Sequence, residues 1–318
     1  MKTGVNILNF GPGAEPQSLL KWAQVSEELG YHSVMISDHI VVTQDLAERY
    51  PEPYYDPFGT LTWLAGQTSR VMLGTTVCVL PYRHPVLMAR LGANIDQFSG
   101  GRFIFGVGVG GVQKEFEVLG VPFKERGARA NDYLAAIETL WTNEQATYEG
   151  RFVSFENIYC PRPVQSPHPP VWVGGKSEAA LRRAVRFGDG WHPNRLTFDW
   201  LRDEGLPGIR RLAEEAGKPV PAFCPRIRLN ITESALPEQD RPIGDGSLEQ
   251  VQGDIAALEA AGAEHLILDW FTGDVEATRD HERGWGMLRL IAEQVLDLKA
   301  EKLRERAQTV GPLLFPDP

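Results

Sequence analysis

Residues 73–85, LGTTVCVLPYRHP, and residues 100–111, GGRFIFGVGVGG, decide the fold of this chain. Each stretch contains an apolar strand that ends in a turn, and a helical pattern over residues 85–98 separates the two. Parallel strands need such a crossover helix between them. Because repeated units of this kind collect their working residues where the strands end, the pattern predicts a barrel with a ligand across its mouth.

The alternation of strand and helix continues along most of the 318 residues. We predict eight strands, at 5–9, 34–36, 71–80, 103–107, 171–173, 190–191, 227–231 and 265–269. They form a single α/β domain, a (β/α)8 TIM barrel over residues 1–298. A small β-hairpin around Glu149-Gly150 is inserted before strand five, and the tail at 299–318 has no assignable role in the barrel.

Composition excludes several classes of partner. Hydrophobic residues make up 42% of the chain, enough for a sizeable core, and the net charge of −10 repels nucleic acids and anionic membrane surfaces. The amino terminus lacks the long apolar core of a signal peptide, and no apolar run reaches the length of a membrane span, so we expect a cytoplasmic protein. Cys78, Cys160 and Cys224 lack metal-ligand spacing and are expected to be free thiols.

Two glycine-rich turns resemble phosphate-binding motifs without meeting their requirements. Residues 106–111, GVGVGG, have the spacing of a dinucleotide fingerprint, but the helix start and the acidic residue that this motif needs are missing. The segment is either a barrel turn that contacts a cofactor or a purely structural turn. Residues 174–177, GGKS, lack the first glycine of a P-loop. At a helix start, they form either an anion site or an ordinary capped helix.

Five segments in order carry a resemblance to a known family: SDH at 37–39, the two stretches quoted first, PRPVQSPHPPVWVGGKS at 161–177 and FGDGW at 187–191. They resemble the bacterial luciferase-like family, and most closely its deazaflavin-dependent oxidoreductases that use coenzyme F-420. Other relatives are monooxygenases that use reduced FMN. The resemblance covers nearly the whole chain and implies a (β/α)8 barrel, an isoalloxazine-type ring across the carboxyl-terminal mouth, and a homodimer.

The resemblance also implies roles for individual residues. Asp38 and His39 would lie near the ring, and His39 would polarise it or relay a proton, which suits an imidazole near neutral pH. Thr76-Val77 aligns with the place where relatives carry a non-prolyl cis peptide against the ring. Gly108 and Gly110 would let the backbone approach the ring. The phosphate would be bound by the turn after strand five, namely Gly174, Gly175, Lys176 and Ser177.

Two residues that serve sugar oxidation in relatives are missing. Relatives that oxidise glucose 6-phosphate carry a tryptophan in the loop after the strand-two histidine and a glutamate after the strand-four glycines. In this chain the loop at 40–58 has no tryptophan, and Gly111 occupies the position of the glutamate, so we do not expect this substrate. Candidate pocket residues are Arg83, His84, Trp191, His192, Asn194 and Arg195, with the loop aromatics Tyr50, Tyr54, Tyr55 and Phe58.

We therefore expect an oxidoreductase that transfers hydride between coenzyme F-420 and a small organic substrate. An open basic channel for the anionic tail of the coenzyme would be formed by Lys176, Arg182, Arg183 and Arg195. The alternative is a reduced-FMN monooxygenase, which shares the fold and inserts oxygen. A non-catalytic flavin-binding barrel is a third possibility. A metal-dependent hydrolase would need ligands such as Asp38, His39, His192 and Asp269, but their spacing matches no metal motif, and no metal is expected.

Overall fold

A parallel sheet forms the centre of the protein, for which a computed structural model describes residues 1–239 and 241–304. Its strands in the described part are β1 Lys2–Ile7, β2 Ser33–Ile36, β3 Met72–Thr75, β4 Phe103–Gly108, β5 Val171–Gly174, β6 Gly190–His192, β7 Ala222–Phe223 continued by Arg226–Arg228, and β8 His265–Asp269. Neighbouring strands pair in parallel throughout. The prediction of an α/β fold built on a curled parallel sheet is confirmed.

The sheet closes through β7. Ala222–Phe223 pair with β6, and Arg226–Arg228 pair with β8. At the junction between these two parts, the amide of Cys224 donates to a carbonyl of β6 and the carbonyl of Pro225 accepts from an amide of β8. One short segment therefore joins the two ends of the sheet, and the carboxyl ends of the strands face a common mouth.

Helices connect successive strands. The main ones are α1 Pro16–Leu29, α2 Pro57–Ala65, α3 Pro85–Ser99, α4 Arg126–Thr142, α5 Glu178–Phe187, α6 Leu206–Ala216, α7 Leu248–Ala260 and α8 His281–Leu290. Shorter helices lie in the loops, at Gln44–Ala47, Gln113–Val118 and Phe198–Trp200. Local chemistry sets the bounds of α3: Pro85 opens it behind the capping residue His84, and Gly100, with φ of +70°, ends it.

The interior of the barrel is filled with side chains. Met35, Ile104, Trp172, Cys224 and Ile267 come from different strands and are buried against one another. Packing of this kind closes the lumen, so a ligand cannot pass through the barrel. Polar residues that could bind one are therefore found at the ends of the strands.

Strand seven lies earlier in the chain than predicted. Its predicted range, 227–231, is wrong at both ends, because β7 begins at Ala222 and Asn230–Ile231 pair with Asp245–Gly246 outside the barrel. Pro225 resembles a strand breaker because it has no N–H, but its carbonyl still takes part in the pairing with β8. The predicted third strand is also divided, since Cys78–Val79 pair with β4 separately from β3.

Two small antiparallel pairs accompany the barrel. Ala146–Glu149 pair with Ser154–Ile158 ahead of β5. Leu296–Asp297 pair with Lys302–Leu303, and the side chain of Leu303 is buried, so the folded part continues past the boundary predicted at residue 298. The remainder of the predicted tail, residues 305–318, lies outside the described residues. Within the described chain, none of the helices combines the length and the apolar character that a membrane span needs.

Two glycines of the GVGVGG stretch are expected to respond very differently to alanine. A Cβ at Gly106 would lie 1.8 Å from the carbonyl oxygen of Thr75, whereas a Cβ at Gly111 would meet no atom of the described chain within 4 Å. We expect G106A to lower the free energy of unfolding by about 3 kcal/mol, because adjacent strands must move apart. The matched variant G111A should change it by less than about 0.5 kcal/mol. Urea unfolding measures both free energies. Equal losses of stability in the two variants would contradict the close packing described for Gly106.

Candidate active site

Polar side chains gather in two groups at the mouth of the barrel. The first group, called the His39 cluster, consists of His39, Tyr82 and Glu115. The second group, called the Thr76 cluster, consists of Thr76, His192, Arg226 and Asp269. Thr76, His192 and Asp269 end a strand or directly follow one, which is the position expected of ligand-binding residues in a barrel of this kind.

Glu115 is the centre of the His39 cluster. Its Oε2 lies 2.6 Å from Nδ1 of His39 and accepts from the hydroxyl of Tyr82 at 2.9 Å. Its Oε1 accepts from the backbone amides of Ile40 and Val41, each at 3.1 Å. The fully buried carboxylate thereby joins the loop after β2 to the short helix that carries Glu115, and it sets the direction of the imidazole.

The charge state of Glu115 follows from these contacts. Burial raises the pKa of the carboxyl, but hydrogen bonds from His39, Val41 and Tyr82 and the attraction of the His39 ring outweigh burial, so the pKa of Glu115 lies below its ordinary value. The side chain of His39 is 19% exposed. Its second nitrogen, Nε2, has no hydrogen-bond partner in the described chain, so Nε2 is the atom of this cluster that a ligand can reach.

Aromatic side chains from the loop after β2 surround the imidazole of His39. Tyr50 stacks on it with 5.6 Å between ring centroids, and Tyr54 meets it edge-on at 5.4 Å. The hydroxyl of Tyr50 accepts from Arg195 at 3.2 Å, which ties this loop to the segment after β6. Phe58 is instead buried in the first turn of α2, where Arg83 lies over its ring. Tyr50 and Tyr54 are therefore the aromatic candidates that border His39.

The Thr76 cluster forms directly after β3. The peptide bond between Thr76 and Val77 is cis, at the position that the family resemblance indicated. The carbonyl of Thr76 accepts from Nη1 of Arg226 at 2.8 Å, and the same guanidinium pairs with Asp269 at 2.6 Å. The hydroxyl of Thr76 lies 2.8 Å from Nε2 of His192. Residues from β3, β6, β7 and β8 are therefore held together across the mouth.

His192 is a neutral imidazole whose tautomer is set by its neighbours. Its Nδ1 lies 2.5 Å from the carbonyl oxygen of Cys224, which can only accept, so Nδ1 carries the hydrogen and Nε2 accepts from Thr76. Burial lowers the pKa of His192 to about 4; the charge of Arg226 acts in the same direction and the bond to Cys224 opposes it. His192 therefore positions Thr76 and is not a proton donor near neutral pH.

Val77 lies in a cradle formed by two of the predicted site glycines. A Cβ at Gly108 would lie 2.6 Å from Cγ2 of Val77, and a Cβ at Gly174 would lie 3.0 Å from its Cγ1. The ends of β3, β4 and β5 therefore meet at this side chain. Gly110, with φ of +73°, packs elsewhere, because a Cβ there would lie 2.7 Å from Cγ1 of Val79.

The turn between β5 and α5 is a capped helix start. The Oγ of Ser177 accepts an amide of the first turn at 3.3 Å, and Gly175 has φ of +114°. Other amides of a first turn have no partner inside the helix. The ammonium of Lys176 donates to the carbonyl of Arg195 at 2.8 Å and lies 5.2 Å from the ring centroid of Trp200. The anion-binding capacity of the turn therefore comes first from its backbone amides.

Asp38, predicted to lie at the ring, has other partners. Its fully buried carboxylate accepts from both Nη atoms of Arg83, at 2.7 and 2.9 Å, and from the amide of Val79 at 2.9 Å. Both oxygens are thus occupied inside the protein. Asp38 holds Arg83 and the chain beyond the cis peptide in place, and its neighbour His39 is the residue with a free polar atom.

The expected basic channel is not formed by the four cations proposed for it. Arg183 is buried and donates to the side chain of Asn131 and the carbonyl of Gly127. Arg182 pairs with Glu178 in the first turn of α5. Of the proposed set, Lys176 and Arg195 alone contact each other, through the carbonyl of Arg195 beside the neighbouring strands β5 and β6.

The four residues considered as metal ligands are divided among different partners. The pairs are Asp38 with Arg83, His39 with Glu115, His192 with Thr76 and Asp269 with Arg226. The described chain holds no group of three or more His, Cys, Asp or Glu side chains arranged around a metal position. The three cysteines are free thiols, as predicted.

Glu115 and Arg226 are site residues that the sequence did not reveal. Glu115 belongs to the segment QKEFEV, and no pattern there distinguishes it from Glu117, although Glu115 and its neighbour Phe116 are fully buried and Glu117 is exposed. Arg226 follows Pro225, which displaced the predicted start of strand seven.

A parallel barrel with its polar residues at the carboxyl-terminal mouth is the architecture of a TIM barrel. The chain belongs to the luciferase-like monooxygenase family, whose model matches residues 1–236. A coenzyme F-420-dependent glucose-6-phosphate dehydrogenase from Nakamurella multipartita is 33% identical over 293 residues, which cover 84% of this chain and 83% of that protein. The family resemblance found in the sequence is confirmed.

Solved structures of low sequence identity share the fold. An F-420-dependent secondary alcohol dehydrogenase in complex with an F-420–acetone adduct matches with a TM-score of 0.71 at 17% identity, over 89% of this chain and 97% of that chain. The FMN complex of the oxygenating constituent of 3,6-diketocamphane monooxygenase from Pseudomonas putida matches with a TM-score of 0.74 at 18% identity, over 92% and 97%. The family and the relative from Nakamurella multipartita support an oxidoreductase or monooxygenase activity, and the solved structures support the fold.

The buried His192 is expected to make stability depend on pH. Its pKa is about 4 in the folded protein and 6.5 when solvated, so the unfolded chain takes up a proton first as the pH falls. The free energy of unfolding should therefore decline between about pH 6.5 and pH 4. His265, whose pKa burial lowers to about 3, adds to this slope. H192N should reduce the slope in urea unfolding at several pH values, and H84N, at an exposed histidine, should leave it unchanged.

Proposed function

We propose that the chain is an oxidoreductase that transfers hydride between coenzyme F-420 and a small organic substrate at the barrel mouth. The observation that supports this most is the cradle of Gly108, Val77 and Gly174, which adjoins the amides at the start of α5. Val77, whose methyl groups cover these two glycines, is a small apolar side chain suited to packing against a flat ring, and helix-start amides suit a phosphate. The relative from Nakamurella multipartita, named as F-420-dependent, supports the choice of cofactor.

The residues present fit the two chemical parts of this cofactor. Thr76, Val77 and Gly108 would hold the ring, while Gly174, Gly175, Lys176 and Ser177 would hold the phosphate. Gly110 packs against Val79 and would support the ring indirectly. Asp38 would act on the ring indirectly, since its carboxylate is bound to Arg83. In the Thr76 cluster, Arg226 and His192 both form hydrogen bonds to Thr76. They would keep the backbone that faces the cofactor ring rigid.

His39 is the proposed catalytic residue. The bound deazaflavin supplies hydride chemistry. His39 takes up or returns the accompanying proton at Nε2, the nitrogen that has no partner in the described chain, and an imidazole is suited to this near neutral pH. Tyr50 and Tyr54 pack around the imidazole of His39 and reduce the access of water to it.

A reduced-FMN monooxygenase is the second candidate function. It is favoured by the fold that the chain shares with the FMN-bound monooxygenase component, and the same residues would hold FMN, which also has a tricyclic ring and a phosphate. Under either function, a homodimeric cytoplasmic enzyme with a small-molecule substrate, and without nucleic acid or membrane partners, stays our prediction.

Calorimetric titration of the purified protein with coenzyme F-420, and separately with oxidised and reduced FMN, is the first test. We expect F-420 to bind about tenfold more tightly than either form of FMN, a difference of about 1.4 kcal/mol in binding free energy. Tighter binding of reduced FMN would favour the monooxygenase. If none of the three binds, both functions are wrong.

S177A separates phosphate binding from helix capping. Ser177 and Ser247 cap α5 and α7 in the same way, through an Oγ that accepts a first-turn amide. Each alanine variant should lose about 1 kcal/mol of stability. S177A should also weaken F-420 binding about tenfold, the effect of one hydrogen bond to a charged group, whereas S247A leaves the turn at 174–177 intact and should not. Equal affinities of the two variants in calorimetry would count against a phosphate at this turn.

A further inference from the structure

Glu115 is a buried carboxylate that contacts both the loop after β2 and the imidazole of His39. We propose that Glu115 fixes the tautomer of His39, so that the imidazole carries its hydrogen on Nδ1 and presents an unprotonated Nε2 at the barrel mouth. Glu115 is thus a positioning residue that acts through His39. The purpose of this arrangement rests on the proposed function, but the tautomer is a property of the protein without a ligand.

The hydrogen between the two residues must belong to His39. Oε2 of Glu115 lies 2.6 Å from Nδ1, and Oε1 is occupied by the amides of Ile40 and Val41, which can only donate. A charged carboxylate accepts hydrogen bonds and has no hydrogen to give. Nδ1 is therefore the donor, and a neutral imidazole that donates from Nδ1 has its lone pair on Nε2.

The packing around His39 keeps the ring in this orientation. Tyr50 stacks on one face of the imidazole, and Tyr54 meets it edge-on. Turning the ring over would replace Nδ1 by a carbon and leave Oε2 of Glu115 without its closest donor. Because that oxygen is fully buried, the flipped ring is disfavoured by the loss of its shortest charge-assisted hydrogen bond, which leaves the hydroxyl of Tyr82 as its donor.

The two backbone amides make glutamine at position 115 an informative change. They require an acceptor where Oε1 now lies, so the carbonyl oxygen of the glutamine takes that place and its NH2 group faces His39. An NH2 group donates, so Nδ1 must then accept and the ring hydrogen moves to Nε2. E115Q keeps the size of the side chain and reverses the tautomer.

The tautomer decides whether His39 can act as a base. When a substrate alcohol is oxidised to a carbonyl, its carbon gives up hydride to the coenzyme and its hydroxyl gives up a proton. An unprotonated Nε2 accepts that proton, and the resulting imidazolium is stabilised by the adjacent carboxylate of Glu115. With hydrogen already on Nε2, the ring has no lone pair there to receive it.

Nitrogen NMR of the cofactor-free protein, labelled with ¹⁵N in its histidines, tests the assignment. H39N identifies the His39 signals among those of the seven histidines. At a pH where the ring is neutral, we expect a protonated Nδ1 and an unprotonated Nε2 in the unsubstituted protein, and the reverse in E115Q. Two controls should keep the original pattern: E117Q, at a 51% exposed side chain on the same helix, and Y82F, which removes one hydrogen bond from Glu115.

The outcomes separate this assignment from the proposed function. An unprotonated Nδ1 in the unsubstituted protein overturns the assignment even if E115Q does not fold, and so does an E115Q spectrum with the original pattern. A reversed pattern in Y82F overturns it too, since the tautomer would then depend on the hydroxyl of Tyr82 although Glu115 is unchanged. If the pattern is as expected but no cofactor binds in calorimetry, the assignment stands and the proposed function fails.

Discussion

Backbone pairing along β7 is the interaction on which the barrel mouth depends. Because this segment is bonded to β6 on one side and to β8 on the other, it closes the sheet and brings the ends of distant strands together. Arg226 can then reach the carbonyl of Thr76 and the carboxylate of Asp269 at the same time. The guanidinium and its carboxylate are nearly buried, so each needs the other to offset the cost of leaving water.

Buried carboxylates fix the loops around this barrel in a repeated way. Glu115 accepts two amides of the loop after β2, Asp96 accepts the amides of Val164 and Gln165, and Asp254 accepts the amide of Gly244. Each carboxylate stands on a helix and each amide belongs to a segment far away in sequence or across a turn. An unpaired buried charge costs several kcal/mol, so these segments cannot leave their positions cheaply. Glu115 and Asp254 thereby hold segments on the mouth side of the barrel, and Asp96 holds the segment that leads into the amino end of β5.

Local patterns predicted much of the fold, and long-range pairing accounts for what they missed. The bounds of β8, His265–Asp269, and the start of α3 at Pro85 follow from apolar runs and proline chemistry, and the structure has them at the predicted residues. The position of β7 could not be predicted, because Pro225 resembles a break until β8 is placed beside it. Neighbouring residues such as Arg182 and Arg183 point about 100° apart on a helix, and only the packed structure shows which one is buried.

For the candidate site, sequence identified positions better than contacts. The cis bond after Thr76 lies at the position that the family resemblance indicated, and the place of His39 beside a cofactor ring stays a prediction. The partners of Asp38 and the identity of Glu115 depend on which carboxylate each loop amide meets, and nothing in a linear pattern encodes that choice. Contacts between segments 33 to 150 residues apart decide this part of the site.

The position of Lys176 over Trp200 gives the protein an optical property. A second indole, that of Trp191, donates to the carbonyl of Gly175 at 2.9 Å, so two of the eight tryptophans touch the turn between β5 and α5. A cation near an indole ring and a hydrogen bond at its nitrogen both change the energy of the excited state. The fluorescence emission of Trp191 and Trp200 therefore depends on that turn. A change in the charge of the turn alters this part of the intrinsic emission and can be followed without an added label.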